Sequence, residues 1–158
     1  MKSLVLAAAL LTPLCAAAQT AANATPMSTM NTFVNAFNKG DMATVHAVHS
    51  ADGVTIIDED APYIWQGKGA LDAWLAMLDN VGKAKSQSEN AVALRKPQVL
   101  NVSGNRAYAV VPVEYTWKEK GVPMHEPATM TIVLHRGPAG WKIDAWSWNG
   151  TPPQRVGK

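Results

Sequence analysis

One cysteine, Cys15, is the only thiol in the 158-residue chain, and it lies close to the start. Loss of the segment around it would leave a chain without sulfhydryls, which suits an oxidising compartment and rules out a disulfide framework. Stability then has to come from burial. Long apolar runs are scarce too: Leu4 to Leu14 is the longest, well short of the about 20 residues a membrane helix needs. Charge is balanced at a formal +2, with nothing more basic than isolated pairs such as Arg95-Lys96, so nucleic acid and anionic membranes find no electrostatic footing. There is no G-x-S-x-G elbow, and Gly67-x-Gly69 lacks the rest of any phosphate-cradling loop. These absences exclude thiol chemistry, serine-nucleophile chemistry and nucleotide binding of the usual kinds.

The start of the chain reads as a leader. Lys2 gives a positive end, Leu4 to Leu14 an apolar core, and Ala16-Ala17-Ala18 the small-x-small site a signal peptidase requires. Cleavage is expected before Gln19, and the mature chain is expected to be periplasmic or secreted with no membrane segment. Thr12-Pro13-Leu14 places bulk where a lipoprotein signal ahead of Cys15 needs small residues. The division is residues 1–18 signal peptide, 19–26 flexible mature start, 27–150 a single domain and 151–158 a loose tail. About 140 residues suffice for a real core.

Within the domain, Thr25-Pro26 has the form of an N-cap followed by proline at the first helical position. Met30, Phe33, Val34 and Phe37 recur on one helical face, Gly40 stops the helix, and Asp41 caps a shorter one with Val45 and Val48. Val54 to Asp58 and Tyr63 to Gln66 read as extended. Leu71, Trp74, Leu75 and Leu78 mark a helix from Gly69 to Val81. After it come the β-rich runs Glu89 to Val102, Ala107 to Lys118, Val122 to His135 and Trp141 to Trp148, with turn-like separators. Helices followed by an antiparallel meander make an α+β fold, with helices over one face of a curved sheet. Pro97, Pro112, Pro123 and Pro127 inside the runs point to bulges or edges.

The ordered set Gly40-Asp41, Ala51-Asp52-Gly53, Val54 to Asp58, Gly67-Lys68-Gly69-Ala70 and the closing Trp141-Lys142-Ile143 through Trp148 resembles the SnoaL-like / nuclear transport factor 2-like superfamily, to which ketosteroid isomerase belongs. The resemblance spans residues 27–150. It implies a cone-shaped antiparallel sheet covered by three N-terminal helices, a cystatin-like α+β roll. Superfamily members are isomerases, dehydratases, cyclases, hydrolases or plain binders, so the fold does not select a reaction. By the resemblance, Asp58 falls on the general-base aspartate of ketosteroid isomerase. The tyrosine donor of that family falls at Phe33, and its acidic donor near Thr129. The base is kept and the donors are not, which counts against steroid isomerisation.

The candidate site follows from these placements. Asp58 closes an apolar strand, where a carboxylate needs a partner, a wet mouth or a task; Lys68 and Arg95 are possible partners. On the fifth β-run His125, Thr129 and Thr131 share a parity, and they are pocket groups if that face looks inward. Phe33, Phe37, Trp65 and Trp146 are expected walls, while Trp74 and Trp141 read as core. Glu59 and Asp60 read as a solvated loop, His46 and His49 as helix-face polar residues, and the sequence nominates no cofactor and no metal. The favoured function is binding of a small apolar or aromatic molecule, by a chain expected to form a homodimer. The alternatives are an isomerase, dehydratase or cyclase-like enzyme using Asp58 with His125, and a homodimerising module without ligand.

Overall fold

The computed structural model describes residues 24–157; the expected leader and its cleavage site lie outside them. Thr25 caps helix α1 (Pro26–Lys39) by a reciprocal pair of hydrogen bonds with Ser28, and Pro26 opens the first turn. Gly40 ends the helix in the left-handed region, and Asp41 accepts from the Thr44 amide to start α2 (Met42–Val48). Met30, Phe33 and Val34 are buried, so the apolar stripe of α1 is the face laid on the sheet.

Strands β1 (Val54–Ile57) and β2 (Ile64–Gly67) form a hairpin. Gly53 precedes it with φ 118°, and a side chain there would run into the backbone of Gly67 and Lys68. Helix α3 (Ala70–Lys85) follows, a turn longer than its apolar spacing predicts, and ends at Ser86 in the left-handed region. The remaining chain is β3 (Gln87–Leu94), β4 (Val99–Ser103), β5 (Arg106–Glu119), β6 (Val122–Gly137), β7 (Gly140–Gly150) and the short β8 (Gln154–Arg155).

The sheet order is β2-β1-β7-β6-β5-β3, with β4 also on β5 and β8 on β6. Three sequence expectations are corrected. The sheet is mixed rather than antiparallel throughout, because β1 lies parallel to β7. The run Glu89 to Val102 is two strands, broken around Arg95 to Gln98. The tail is not loose, since β8 pairs with Met124 and His125.

Inner and outer faces are set by the strict alternation of β5 and β6. Trp65, Ile56, Trp146, Ile132 and Ala109 form one buried row across five strands, covered by α1, α2 and α3. The result is an α+β cone: a curved, open sheet with three helices on its concave side.

Candidate functional site

Between α1, α3 and the far half of the sheet the inner face does not close, leaving a cavity of about 170 Å³. Its body is aromatic. Phe33 and Phe37 come from α1, Trp74 from α3, Tyr115 and Trp117 from β5, and Trp146 and Trp148 from β7. Trp74 stands edge-on to Trp146, with ring centres 4.7 Å apart, and Tyr115 stacks on Trp117 at 4.5 Å. Trp117 and Trp146 are buried with no acceptor for their indole N–H groups, an uncommon state for a buried donor.

One wall is acidic. The loop joining β1 to β2 carries Asp58, Glu59 and Asp60 across the cavity, and Glu126 reaches it from β6. Trp74 Nε1–H donates to Asp58 Oδ2 at 2.8 Å, and the Asp60 amide donates to Asp58 Oδ1 at 3.3 Å. Glu126 is almost fully buried and accepts from Trp148 Nε1–H at 2.8 Å. Glu59 as a residue is exposed, yet its carboxyl end turns in against Glu126 over Gly150.

Burial, then the charges of Glu126, Asp58 and Asp60, push Glu59 up to about 7. Burial also raises Glu126, while the Trp148 hydrogen bond works against that rise. The two carboxyl ends face each other over Gly150, so their mutual repulsion adds to burial in favouring a proton on Glu59. Burial beside the same acidic wall holds Tyr115 up at about 12, so its hydroxyl stays protonated and donates to Asn90 Oδ1 at 2.9 Å.

The structure sorts the residues singled out from sequence into two groups. Asp58, Phe33, Phe37 and Trp146 meet at the cavity. His125, Thr129 and Thr131 do not: they share the parity opposite to Glu126, Ala128 and Met130, which puts them on the outer face of β6. There His125 Nε2 pairs with Glu114, and Arg95 Nε lies 3.7 Å from the same carboxylate. Asp58 and His125 are therefore on opposite sides of the sheet and cannot act as a pair. Trp65 is buried in the core row beside Ile56, away from the cavity. Trp74, read as core, is both a cavity wall and the partner of Asp58, in place of Lys68 or Arg95.

Sequence reasoning missed Glu126 and the inward turn of Glu59. For Glu126 the signal was present, since it is the charged residue at an apolar parity shared with Ala128, Met130, Ile132 and Leu134. For Glu59 there was none, because its orientation depends on the loop and on Gly150 at the end of a distant strand. Among the described residues no three histidine, cysteine, aspartate or glutamate side chains converge as metal ligands.

Comparison with known proteins agrees with this architecture. The family model described as SnoaL-like domain matches residues 27–147. No curated protein matches the sequence. Among solved structures, a hexachlorocyclohexane dehydrochlorinase type 2 is similar with a TM-score of 0.68 at 15% identity, over 92% of this chain and 94% of that one. A ketosteroid isomerase-like protein from Erwinia carotovora atroseptica aligns with a TM-score of 0.59 at 16% identity, over 89% of this chain and 98% of the other. An NTF2-like protein with a cystatin-like fold from Novosphingobium aromaticivorans aligns with a TM-score of 0.61 at 16% identity, covering 76% and 75%. At these identities the likeness speaks for the fold.

Proposed function

Since the chain belongs to the SnoaL-like domain family, we propose that it binds a small, mainly apolar or aromatic molecule in the cavity between α1, α3 and the sheet. The observation that carries this reading is the aromatic lining of the cavity, with the Asp58 carboxylate fixed at its wall by Trp74. Apolar walls with a few fixed polar groups are the usual composition of a ligand site. Size narrows the ligand further: an apolar cavity of about 150 Å³ accommodates benzene, so a single ring fits here.

Leu78 lines the cavity from α3 and is only partly buried, so Leu78→Trp fills the space without replacing a core residue. Single-ring aromatics such as benzyl alcohol should quench tryptophan fluorescence and raise the Tm of the wild type, and should do neither with Leu78→Trp. Absence of any response in the wild type would refute the reading. Export through the leader belongs to the same proposal, on the strength of Lys2, the Leu4 to Leu14 run and Ala16-x-Ala18. It requires the secreted form to begin at or near Gln19 by mass spectrometry.

A second reading has one specific observation behind it. The Asp58 carboxylate lines the same cavity as the aromatic walls, where a general base would have to be. The similar dehydrochlorinase and ketosteroid isomerase-like structures keep this reading in view. Asp58→Asn retains an acceptor for Trp74 and should leave affinity for an uncharged ring such as benzyl alcohol within a few-fold of wild type. It would cut turnover by roughly 10²–10⁴, whereas His125→Ala, on the far face, should leave turnover unchanged. Equal loss with both variants would refute Asp58 as the base.

A further inference from the structure

Resting on the proposed cavity function, we infer that the ligand is a small organic cation: an ammonium or quaternary amine on a one-ring body, its charge seated among Asp58, Glu59, Asp60 and Glu126 and the rings of Trp74, Tyr115 and Trp148. The first support is a charge imbalance that the protein does not correct. Four carboxylates line the cavity against one cation, Lys85. Lys85 stands eleven residues along α3 from Trp74, the Asp58 partner, which is about 16 Å at the helical rise. It is too far along the cavity to neutralise the acidic wall. Among the described residues seven ion pairs form, and none includes any of the four carboxylates. The donors they do have are the Trp74 and Trp148 indoles and the Asp60 amide, which satisfy lone pairs but bring no positive charge.

The walls supply the second support. Tyr115, Trp117 and Trp148 present stacked and perpendicular rings next to Glu126, with Trp148 edge-on to Tyr115 at 6.1 Å. Aromatic faces beside carboxylates attract cations, most strongly where water is excluded. Two of the lining residues, Trp117 and Trp146, also keep buried indole N–H groups without an acceptor.

Crowded by Glu126 over Gly150 and by Asp58 and Asp60 on its own loop, Glu59 holds its proton up to about 7. A bound cation would make that proton unnecessary and release it. The groups facing Glu59 are Asp58 and Asp60 on its own loop, Glu126 on β6, Tyr115 on β5, Trp148 and Gly150 on β7, and Lys85 at the distant end of α3. None of the near ones is basic.

Three probes of nearly equal size test the inference on the full mature chain: 2-phenylethylammonium, 2-phenylethanol and 3-phenylpropionate. Titration calorimetry at pH 7 should show the ammonium binding roughly tenfold or more tighter than the alcohol, with the propionate weakest. Its heat should depend on the ionisation enthalpy of the buffer, reporting proton release, and that of the alcohol should not. The double variant Glu59→Gln, Asp60→Asn, which alters only the loop, should lose the preference and the proton release while still binding the alcohol. Equal affinity for alcohol and ammonium would overturn the cation and leave the aromatic cavity standing. Failure of all three probes with folded protein would overturn both readings.

Discussion

Gly150 ends β7 with no side chain, and this allows Glu59 and Glu126 to meet. A Cβ at that position would be driven into both carboxyl groups at once. Glu126 cannot yield freely, because Trp148 holds it and the residue is buried. Gly150→Ala should therefore separate the pair, break the Trp148 contact and destabilise the fold by about 1–3 kcal/mol, the range for overpacking. Denaturant melts would measure the loss. The amino-acid pattern reveals half of this arrangement: period-2 alternation along β6 puts Glu126 among apolar residues and so marks it. It also settles the face of His125, Thr129 and Thr131 once the inner row is known, because Met130, Ile132 and Leu134 claim the core. What stays invisible is which loop carboxylate turns in to meet Glu126, since that depends on contacts between residues far apart in sequence.

The prolines show how far elements can be read from sequence. Pro112, Pro123 and Pro127 sit inside long strands in continuous register, so of the bulges or edge positions their presence suggests the bulges do not occur. Their carbonyls accept from Arg95, Val156 and Thr151 respectively. In an antiparallel ladder a residue's N–H and C=O point to the same side. The missing N–H of Pro112 therefore falls at the break between β3 and β4, and that of Pro127 at the break between β7 and β8. The element breaks and the prolines match, so a proline in a strand here marks a gap in its neighbour. The β8 segment was illegible for the same physical reason: two residues have no periodicity, and pairing with β6 alone orders them. Pro153, just before β8, also lines the cavity. Truncation after Thr151 should leave the core folded and weaken ligand binding several-fold by removing one wall. Unchanged affinity in the truncated chain would mean that the tail is no part of the site.

For the molecule as a whole, the buried His49 and the inward-turned carboxyl of Glu59 tilt stability in opposite directions with pH. His49 ends α2 beneath Phe33, whose ring stands edge-on to the imidazole at 4.8 Å. Its Nδ1–H donates to the Val45 carbonyl at 2.7 Å. Burial is the main cause holding it down to about 4 from an ordinary 6.5, so the unfolded chain takes up a proton there that the folded chain refuses. The His49 contribution is complete above pH 6.5 and is lost as pH falls towards 4, on the order of 3 kcal/mol in all. Glu59 runs the other way. The folded chain keeps its proton up to about 7, whereas the unfolded chain releases it near 4.5. Its contribution is complete below pH 4.5 and disappears as pH rises through 7, by an amount that solvent screening reduces. Urea midpoints from pH 4 to 8 should therefore show the wild type weakening on both sides of a mildly acidic maximum. His49→Asn, whose amide can still donate to Val45, should flatten the acid limb, and Glu59→Gln should flatten the limb above 6.5. Parallel profiles for wild type and His49→Asn would mean that His49 titrates normally in the folded chain and that its burial leaves its charge unhindered.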